Sequence, residues 1–163
     1  MNLEPSKHYG GWSGTEIEHF LAETRVPLRL SFISKSGLLI VPVWFVYRAS
    51  CFWACSPNQS LLVNALRENP EVAFDLSTND IPYYGVRGRG LAHCSVAPDK
   101  TALEGLLNRY LAGTDNDLAQ WLLARSGAEA VIQIEVTWLT SWDFSDRMEG
   151  IERISSRLPG LDL

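Results

Sequence analysis

LRLSFISKSGLLIVPVWFVY, residues 28–47, contains the clearest indication of the fold. Residues 28–33 place a leucine or phenylalanine at every second position, which is the period of a strand with one buried face. Ser36-Gly37 then predicts a turn, and residues 38–47 form the longest apolar run of the chain. Two strands joined by so short a turn run antiparallel, so this stretch predicts an antiparallel sheet.

Both faces of the run 38–47 are apolar, so a strand here needs a cover on each side. The core covers one face, and a partner subunit is the simplest cover for the other. The chain also has six Trp in 163 residues. Large aromatic side chains beyond the needs of a core indicate an interface or a ring-binding pocket. We therefore expect a homodimer.

The rest of the chain continues as short strands with a few helices. The predicted strands cover residues 28–33, 38–47, 51–55, 72–76, 83–96 and 132–138. The predicted helices cover residues 15–24 and begin after the caps Ser60, Asp99 and Asp115. Hairpin-length turns without a regular alternation of strand and helix favour an antiparallel barrel with helices at its edges over a doubly wound sheet.

Two tryptophans near the end of the last predicted strand differ in their surroundings. Trp138 continues the alternation of Ile134 and Val136 and is the better core candidate. Trp142 has the same parity, so an uninterrupted strand would bury both, yet its neighbours are polar. The sequence therefore predicts a break near Thr140 that leaves Trp142 free to line a binding site.

Charge and hydropathy exclude several classes of protein. A general nucleic-acid binder needs a basic face, and the formal net charge of −5 argues against one. No apolar stretch is long enough to span a bilayer as a helix, and the first residues lack the apolar region of a secretion signal. We expect a cytoplasmic protein that binds neither nucleic acid nor a membrane.

The residues that most often carry metal or nucleophile chemistry form no recognisable pattern. Cys51 and Cys55 lie four residues apart on one predicted strand, which separates them by about 13 Å, too far for a disulfide. We expect all three cysteines to be free thiols. The three histidines are scattered and none has a zinc spacing. The sequence thus predicts no metal site and assigns no catalytic residue.

Two segments are candidates for binding an anion. Three glycines of Gly85-Val86-Arg87-Gly88-Arg89-Gly90 lie inside a predicted strand, where glycine marks a bulge or a close approach by a ligand or another backbone. Arg87 and Arg89 share one face, which is either a solvated face or a phosphate clamp. Residues 56–59 with Ser60 are either a helix cap or an anion cradle.

Four segments together resemble the pyridoxamine 5'-phosphate oxidase-related, FMN-binding split-barrel family. They are Val41-Pro42-Val43-Trp44-Phe45, Ser56 with Ser60 ahead of Leu66-Arg67-Glu68-Asn69-Pro70, Pro82-Tyr83-Tyr84-Gly85-Val86-Arg87-Gly88, and Ser141-Trp142-Asp143-Phe144. The series runs from about residue 25 to 148. The resemblance implies an α+β fold, an antiparallel six-stranded split β-barrel with peripheral helices. The length of the chain fits a single domain over residues 1–163, and we expect 1–14 and 149–163 to be flexible or peripheral tails.

The resemblance also implies a homodimer with two flavins, each held at the subunit interface. Residues 41–44, including Val43 and Trp44, would lie along the edge of the isoalloxazine ring. Ser56 and Ser60 would meet the phosphate. Trp142 would approach the ring from the other subunit. Gly85 and Arg87 would lie on the strand face that looks at the cofactor.

The sequence departs from the oxidases proper at the phosphate. Those enzymes carry an Arg-Lys pair where this chain has Leu61 and Leu62, and basic residues where the strand at 40–45 is apolar. Arg29 and Arg87 are the candidate replacement donors. The resemblance thus favours FMN as cofactor but not pyridoxamine phosphate oxidation itself; a deazaflavin, haem or an empty site stays open.

Two functions follow from the resemblance. The first is an oxidoreductase that transfers a hydride or electrons through FMN to a small substrate, with NADH or NADPH as a candidate electron donor. The second is a non-catalytic cofactor-binding or interaction protein of the same fold. The missing basic residues favour the second function, and the retained Trp and Gly motifs favour the first.

Overall fold

The computed structural model describes residues 8–9, 11–96, 100–148 and 150. The expected tails, 1–14 and 149–163, lie mostly outside these residues, and so does the predicted helix cap Asp99.

The described chain forms one mainly antiparallel sheet with four α-helices around it. The strands are β1 (His8–Tyr9), β2 (Leu28–Ser34), β3 (Gly37–Val43), β4 (Val46–Arg48), β5 (Cys51–Pro57), β6 (Glu71–Ser77), β7 (Tyr84–Val96) and β8 (Glu129–Asp143). The helices are α1 (Gly14–Glu23), α2 (Leu61–Glu68), α3 (Thr101–Leu111) and α4 (Asp117–Ala124), with short 3₁₀ turns at Ser126–Ala128 and Ser145–Met148.

The order of the strands makes the sheet curl into a barrel. The path is β3-β2-β6-β7-β8-β5-β4, and β1 adds a short parallel pairing to β8. The two edge strands, β3 and β4, are separated along the chain only by Trp44 and Phe45. Because two residues span about 10 Å at most between their flanking neighbours, the two edges must lie side by side. The predicted α+β antiparallel barrel is therefore confirmed.

The barrel has eight strands in the described residues, not the predicted six. The predicted strand 38–47 divides into β3 and β4 because the chain crosses from one edge of the sheet to the other at Trp44 and Phe45. The Phe45 side chain is fully buried at this crossing. The eighth strand, β1, falls within the segment that was expected to be a tail.

The barrel interior holds the core that the sequence pattern predicts. Along β2, Leu28, Leu30 and Phe32 are buried and face in. Helix α2 begins after the cap Ser60 and packs onto this core with the buried residues Leu62, Val63, Ala65 and Leu66. The outer face of β3 has no cover in a single chain: Leu38 and Ile40 are 76% and 70% exposed.

The glycines of β7 are explained by the neighbouring backbone. A Cβ atom at Gly90 would lie 2.5 Å from the carbonyl oxygen of Glu135, and one at Gly85 would clash with the carbonyl oxygen of Leu76. Arg89 pairs with Trp138 but Gly90 pairs with Val136, so β8 contains a bulge here. The close-approach interpretation of these glycines is confirmed, with strand backbone as the approaching group.

The same bulge corrects the two predictions for the tryptophans of β8. One extra residue, Thr137, changes the parity of the strand, so that Val136 and Leu139 are both buried. Trp138 and Trp142 then share the half-buried outer face. The prediction that Trp138 is core is wrong, and the predicted break near Thr140 is also wrong, because β8 continues to Asp143.

Two further features concern the cysteines and the helices. Cys51 and Cys55 lie on β5 as predicted, and all three cysteines are free thiols. Within the described residues, no helix is both long enough and apolar enough to cross a membrane.

Candidate functional site

A cleft of about 470 Å³ opens between the end of β3, strand β5 and helices α3 and α4. Its volume lies in the range of small-molecule sites. Three of the predicted site residues line it: Val43, Trp44 and Ser56. The other walls are mainly apolar, and besides Ser56 the polar residues are Arg125 and Glu129. The crossing between the sheet edges thus lies beside a concave, largely apolar site.

Trp44 is held in the cleft wall by helix α3. Its ring stacks on that of Tyr110, with centroids 5.0 Å apart and planes 6° apart. The Tyr110 hydroxyl oxygen accepts the backbone N–H of Phe45 at 3.4 Å. Arg109, the residue before Tyr110, donates hydrogen bonds to the carbonyl oxygens of Leu21 and Thr24 at the end of α1. Helix α3 is therefore fixed against both the crossing and α1, which leaves one face of Trp44 for the cleft.

Ser56 and Ser60 are brought together at the start of α2. Their hydroxyl oxygens lie 3.0 Å apart. The Ser60 hydroxyl accepts the backbone N–H of Val63 at 3.2 Å, which is a helix N-cap. The capping interpretation of Ser60 is confirmed. The remaining free N–H groups of the first turn still favour an anion beside these hydroxyls.

The first turn of α2 carries two leucines in place of a basic pair. Leu61 is 59% exposed and Leu62 is buried. Arg67, at the far end of α2, donates to the backbone and side-chain oxygens of Asn58 and so holds the loop.

The two candidate arginines differ in how the protein uses them. Arg29 forms an ion pair with Asp75 at 3.2 Å and donates to Ser77 and Asn79. Asp75 lies on β6 between the two arginines, and Arg87 pairs with it from β7. Its side chain is exposed and forms no ion pair with any residue that the structure describes. Of the two, Arg87 has the free guanidinium.

One chain does not bring all the predicted site residues together. Ser56 pairs with Ala130 at the start of β8, whereas Arg87 pairs with Thr140 near its end. The step from 130 to 140 corresponds to about 30 Å along an extended strand. Trp142 lies two pairs further on, opposite Gly85, with its ring 5.1 Å from that of Phe144. The residues thus fall into a cleft group and a group at the far end of β8.

Alternation along β5 places the side chains of Ser56 and Cys55 on opposite faces of the strand. Ser56 points toward Ser60 and α2, whereas Cys55 packs among residues of α3 and α4. Burial raises the pKa of the Cys55 thiol to about 12, and the charge of Glu129 adds to this. Burial also raises the pKa of Glu129, while the nearby charge of Arg125 lowers it. The hydroxyl side of β5, with Ser56 and Ser60, and its helix side, with Cys55, α3 and α4, are therefore chemically different.

Two cleft residues were not singled out from the sequence, Trp121 and Arg125, and neither was Tyr110, which supports Trp44 from helix α3. The helical spacing of Leu118, Trp121 and Leu122 predicts a core-facing stripe. In the structure, Leu118 and Trp121 are 48% and 56% exposed and line the cleft. Arg125 follows Trp121 by one helical turn and lies 4.9 Å from its ring centroid. That i, i+4 spacing of an aromatic and a cation is the signal that could have identified the pair.

No family model matches the sequence, and no curated protein is similar enough to match it. Solved structures do resemble the fold. Conserved hypothetical protein Rv2991 from Mycobacterium tuberculosis has a TM-score of 0.69 at 21% identity, over 88% of this chain and 90% of that chain. A structure described as an F420 reductase has a TM-score of 0.61 at 20% identity, over 73% and 92%.

A putative pyridoxamine 5'-phosphate oxidase from Listeria innocua has a TM-score of 0.60 at 14% identity, over 80% of this chain and 97% of that chain. At these identities the likeness shows the fold alone. This chain has the α+β split-barrel fold that the sequence motifs implied.

Proposed function

We propose that this protein binds a flavin, and that the flavin is FMN, in the cleft between β3, β5 and helices α3 and α4. The observation that carries the proposal is that Val43 and Trp44 from one resembling segment and Ser56 from another line the same cleft. The fold supports it, because an F420 reductase and a putative pyridoxamine 5'-phosphate oxidase share it.

The residues present fit the two ends of an FMN molecule. The apolar crossing at Val43 and Trp44 suits a planar ring, which gains from burial and from aromatic contact. The paired hydroxyls of Ser56 and Ser60, with the free N–H groups of α2, suit the phosphate. A bound flavin supplies hydride or electron transfer, and the protein supplies position and electrostatics.

The complete site needs a second copy of the chain. Arg87 and Trp142 lie at the far end of β8 from Ser56, so in our proposal a partner subunit contributes them. The exposed Leu38 and Ile40 on the outer face of β3 supply an apolar surface for such a contact. The protein is accordingly a homodimer with two equivalent flavin sites.

The proposed activity is oxidoreduction of a small substrate through FMN, with NADH or NADPH as electron donor. Pyridoxamine phosphate oxidation itself is not proposed, because Leu61 and Leu62 stand where that enzyme has its basic pair. No side chain of the cleft is assigned to proton transfer.

A deazaflavin is the second candidate cofactor. The observation that favours it is that Leu61 and Leu62, not basic residues, form the start of α2, together with the fold shared with an F420 reductase. A non-catalytic binding protein is the remaining alternative.

The absorption spectrum of the purified protein tests the proposal. An FMN spectrum near 450 nm that bleaches anaerobically with NADH or NADPH is the expected result. An F420 spectrum would identify the deazaflavin instead. A flavin that neither nicotinamide reduces would favour a non-catalytic binder. A colourless protein that takes up neither cofactor would contradict flavin binding.

A further inference from the structure

Helix α4 presents an apolar stripe to the cleft that no other part of the described chain covers. Leu118 and Trp121 lie one turn apart, are 48% and 56% exposed, and line the cleft. Exposed apolar side chains of this size, grouped in a concavity, mark a binding surface. The stripe faces the same space as Trp44, which Tyr110 holds in place.

Arg125 lies at the end of this stripe, and its guanidinium contacts an aromatic ring instead of forming an ion pair with a described residue. It lies 4.9 Å from the Trp121 ring centroid and also lines the cleft. Within the described residues it forms no ion pair. A guanidinium stacked on an aromatic face keeps its N–H donors at its edge, where they can bind a carboxylate in bidentate fashion.

The polar groups of the helix side lie at one end of the cleft. The 3₁₀ turn that follows Arg125 contacts the β5–α2 loop, since Asn58 donates its N–H to the carbonyl oxygen of Ala128 at 2.8 Å. Glu129, just beyond this turn, pairs with Pro57. Its negative charge opposes a dianion beside Arg125 more strongly than a monoanion. The helix side therefore combines an apolar wall with the Arg125 guanidinium, whose nearby carboxylate is that of Glu129.

We propose that the helix side of the cleft binds the substrate, and that the substrate is an apolar ring compound bearing one carboxylate. The ring lies against Leu118 and Trp121, and the carboxylate binds the edge of the Arg125 guanidinium. The statement that this compound is a substrate rests on the proposed function, because only a flavin bound on the hydroxyl side could react with it. The binding chemistry of the helix side stands on its own residues.

The test uses 2-naphthoate as the probe and 2-naphthalenemethanol, which has the same ring but no charge, as the control compound. Each is titrated by calorimetry into the full-length protein, with and without saturating FMN. Arg125→Gln should weaken 2-naphthoate by about tenfold or more, the loss of one charged hydrogen-bonded pair, and leave the alcohol unchanged. Trp121→Ala should weaken both compounds. Arg48→Gln is the matched control, because Arg48 also stacks on a tryptophan, at 4.7 Å, outside the cleft.

Three results would overturn the proposal. The first is equal affinity of the wild type and Arg125→Gln for 2-naphthoate, including no binding to either. The second is that Arg125→Gln loses affinity for FMN but not for 2-naphthoate. The third is a change of oligomeric mass in Trp121→Ala, which would make the stripe an interface between copies of the chain. Failure of the wild type to take up FMN would count against the proposed function alone, because the 2-naphthoate titrations do not depend on FMN.

Discussion

Arg29 and Asp75 form an ion pair across β2 and β6, with Nη1 of the arginine 3.2 Å from Oδ2 of the aspartate. Ser77 also donates its hydroxyl to the same carboxylate oxygen at 2.7 Å. Arg87 faces Asp75 from the opposite strand without such a contact. The two arginines that the sequence offers as phosphate donors are therefore not equivalent.

We expect Arg87→Ala to weaken FMN binding and Arg29→Ala to lower stability instead. Loss of a charged hydrogen bond to the phosphate costs about 1.5–3 kcal/mol, and riboflavin, which lacks the phosphate, should be affected much less. Arg29→Ala should lower the free energy of unfolding by about 0.5–1 kcal/mol, because the ion pair is partly exposed. FMN and riboflavin titrations with urea unfolding measure both effects. Equal losses of FMN and riboflavin in Arg87→Ala would exclude a phosphate contact.

Trp142→Ala should reduce FMN affinity more than it reduces stability. Trp142 is half-buried on the outer face and its ring contact is with Phe144, so the loss of stability should stay below the 3–5 kcal/mol of a core aromatic, roughly. A lost aromatic contact with the ring should cost about 1–2 kcal/mol in FMN binding. Trp138→Ala is the matched control, because Trp138 lies on the same face under Arg89. Thermal melting of the apo-protein and FMN titration separate the two effects, and a large loss of stability with unchanged FMN affinity would make Trp142 structural.

Leu38→Asp should convert the homodimer into a monomer. Leu38 is 76% exposed in a single chain, so a charge there is tolerated by the monomer but is costly in an apolar interface. Light scattering on a sizing column gives the mass. Val96→Asp serves as the control, since Val96 is an exposed apolar residue at the end of another strand. A wild-type monomer at micromolar concentration would end the dimer proposal.

Mixed dimers test whether each flavin site uses both chains. In our proposal each flavin site uses Ser60 of one chain and Trp142 of the other. Every site of a Ser60→Ala homodimer therefore lacks the serine, and every site of a Trp142→Ala homodimer lacks the tryptophan. In a mixed dimer, one site carries both changes and the other carries neither. If random exchange makes half the dimers mixed, about a quarter of all sites should regain wild-type FMN affinity. No recovery after exchange, verified by mass, would place both residues in the same chain's site.

The local sequence pattern was sufficient to predict the strands and helices of the barrel and part of the candidate site. The alternation from Leu28 to Phe32 fixes which face of β2 is buried, because period 2 is a property of the extended chain itself. Ser60 caps α2 as predicted, since a helix cap depends on residues three positions apart.

The features that sequence pattern missed depend on contacts between distant residues. The division at Trp44 follows from the meeting of two sheet edges, and its stack on Tyr110 joins residues 66 positions apart. The outward position of Trp138 depends on a bulge opposite Gly90. The exposure of Trp121 reflects where α4 lies over the cleft. Helical or strand periodicity contains none of this information.

Equilibrium dialysis of the apo-protein against FMN measures flavin binding itself. We expect saturable binding of one FMN per chain with a dissociation constant in the micromolar range or below, about 8 kcal/mol of binding free energy. Riboflavin should bind more weakly, because the hydroxyls of Ser56 and Ser60 then have no phosphate to meet. Absence of saturable FMN binding by a folded dimer would contradict flavin binding by this protein.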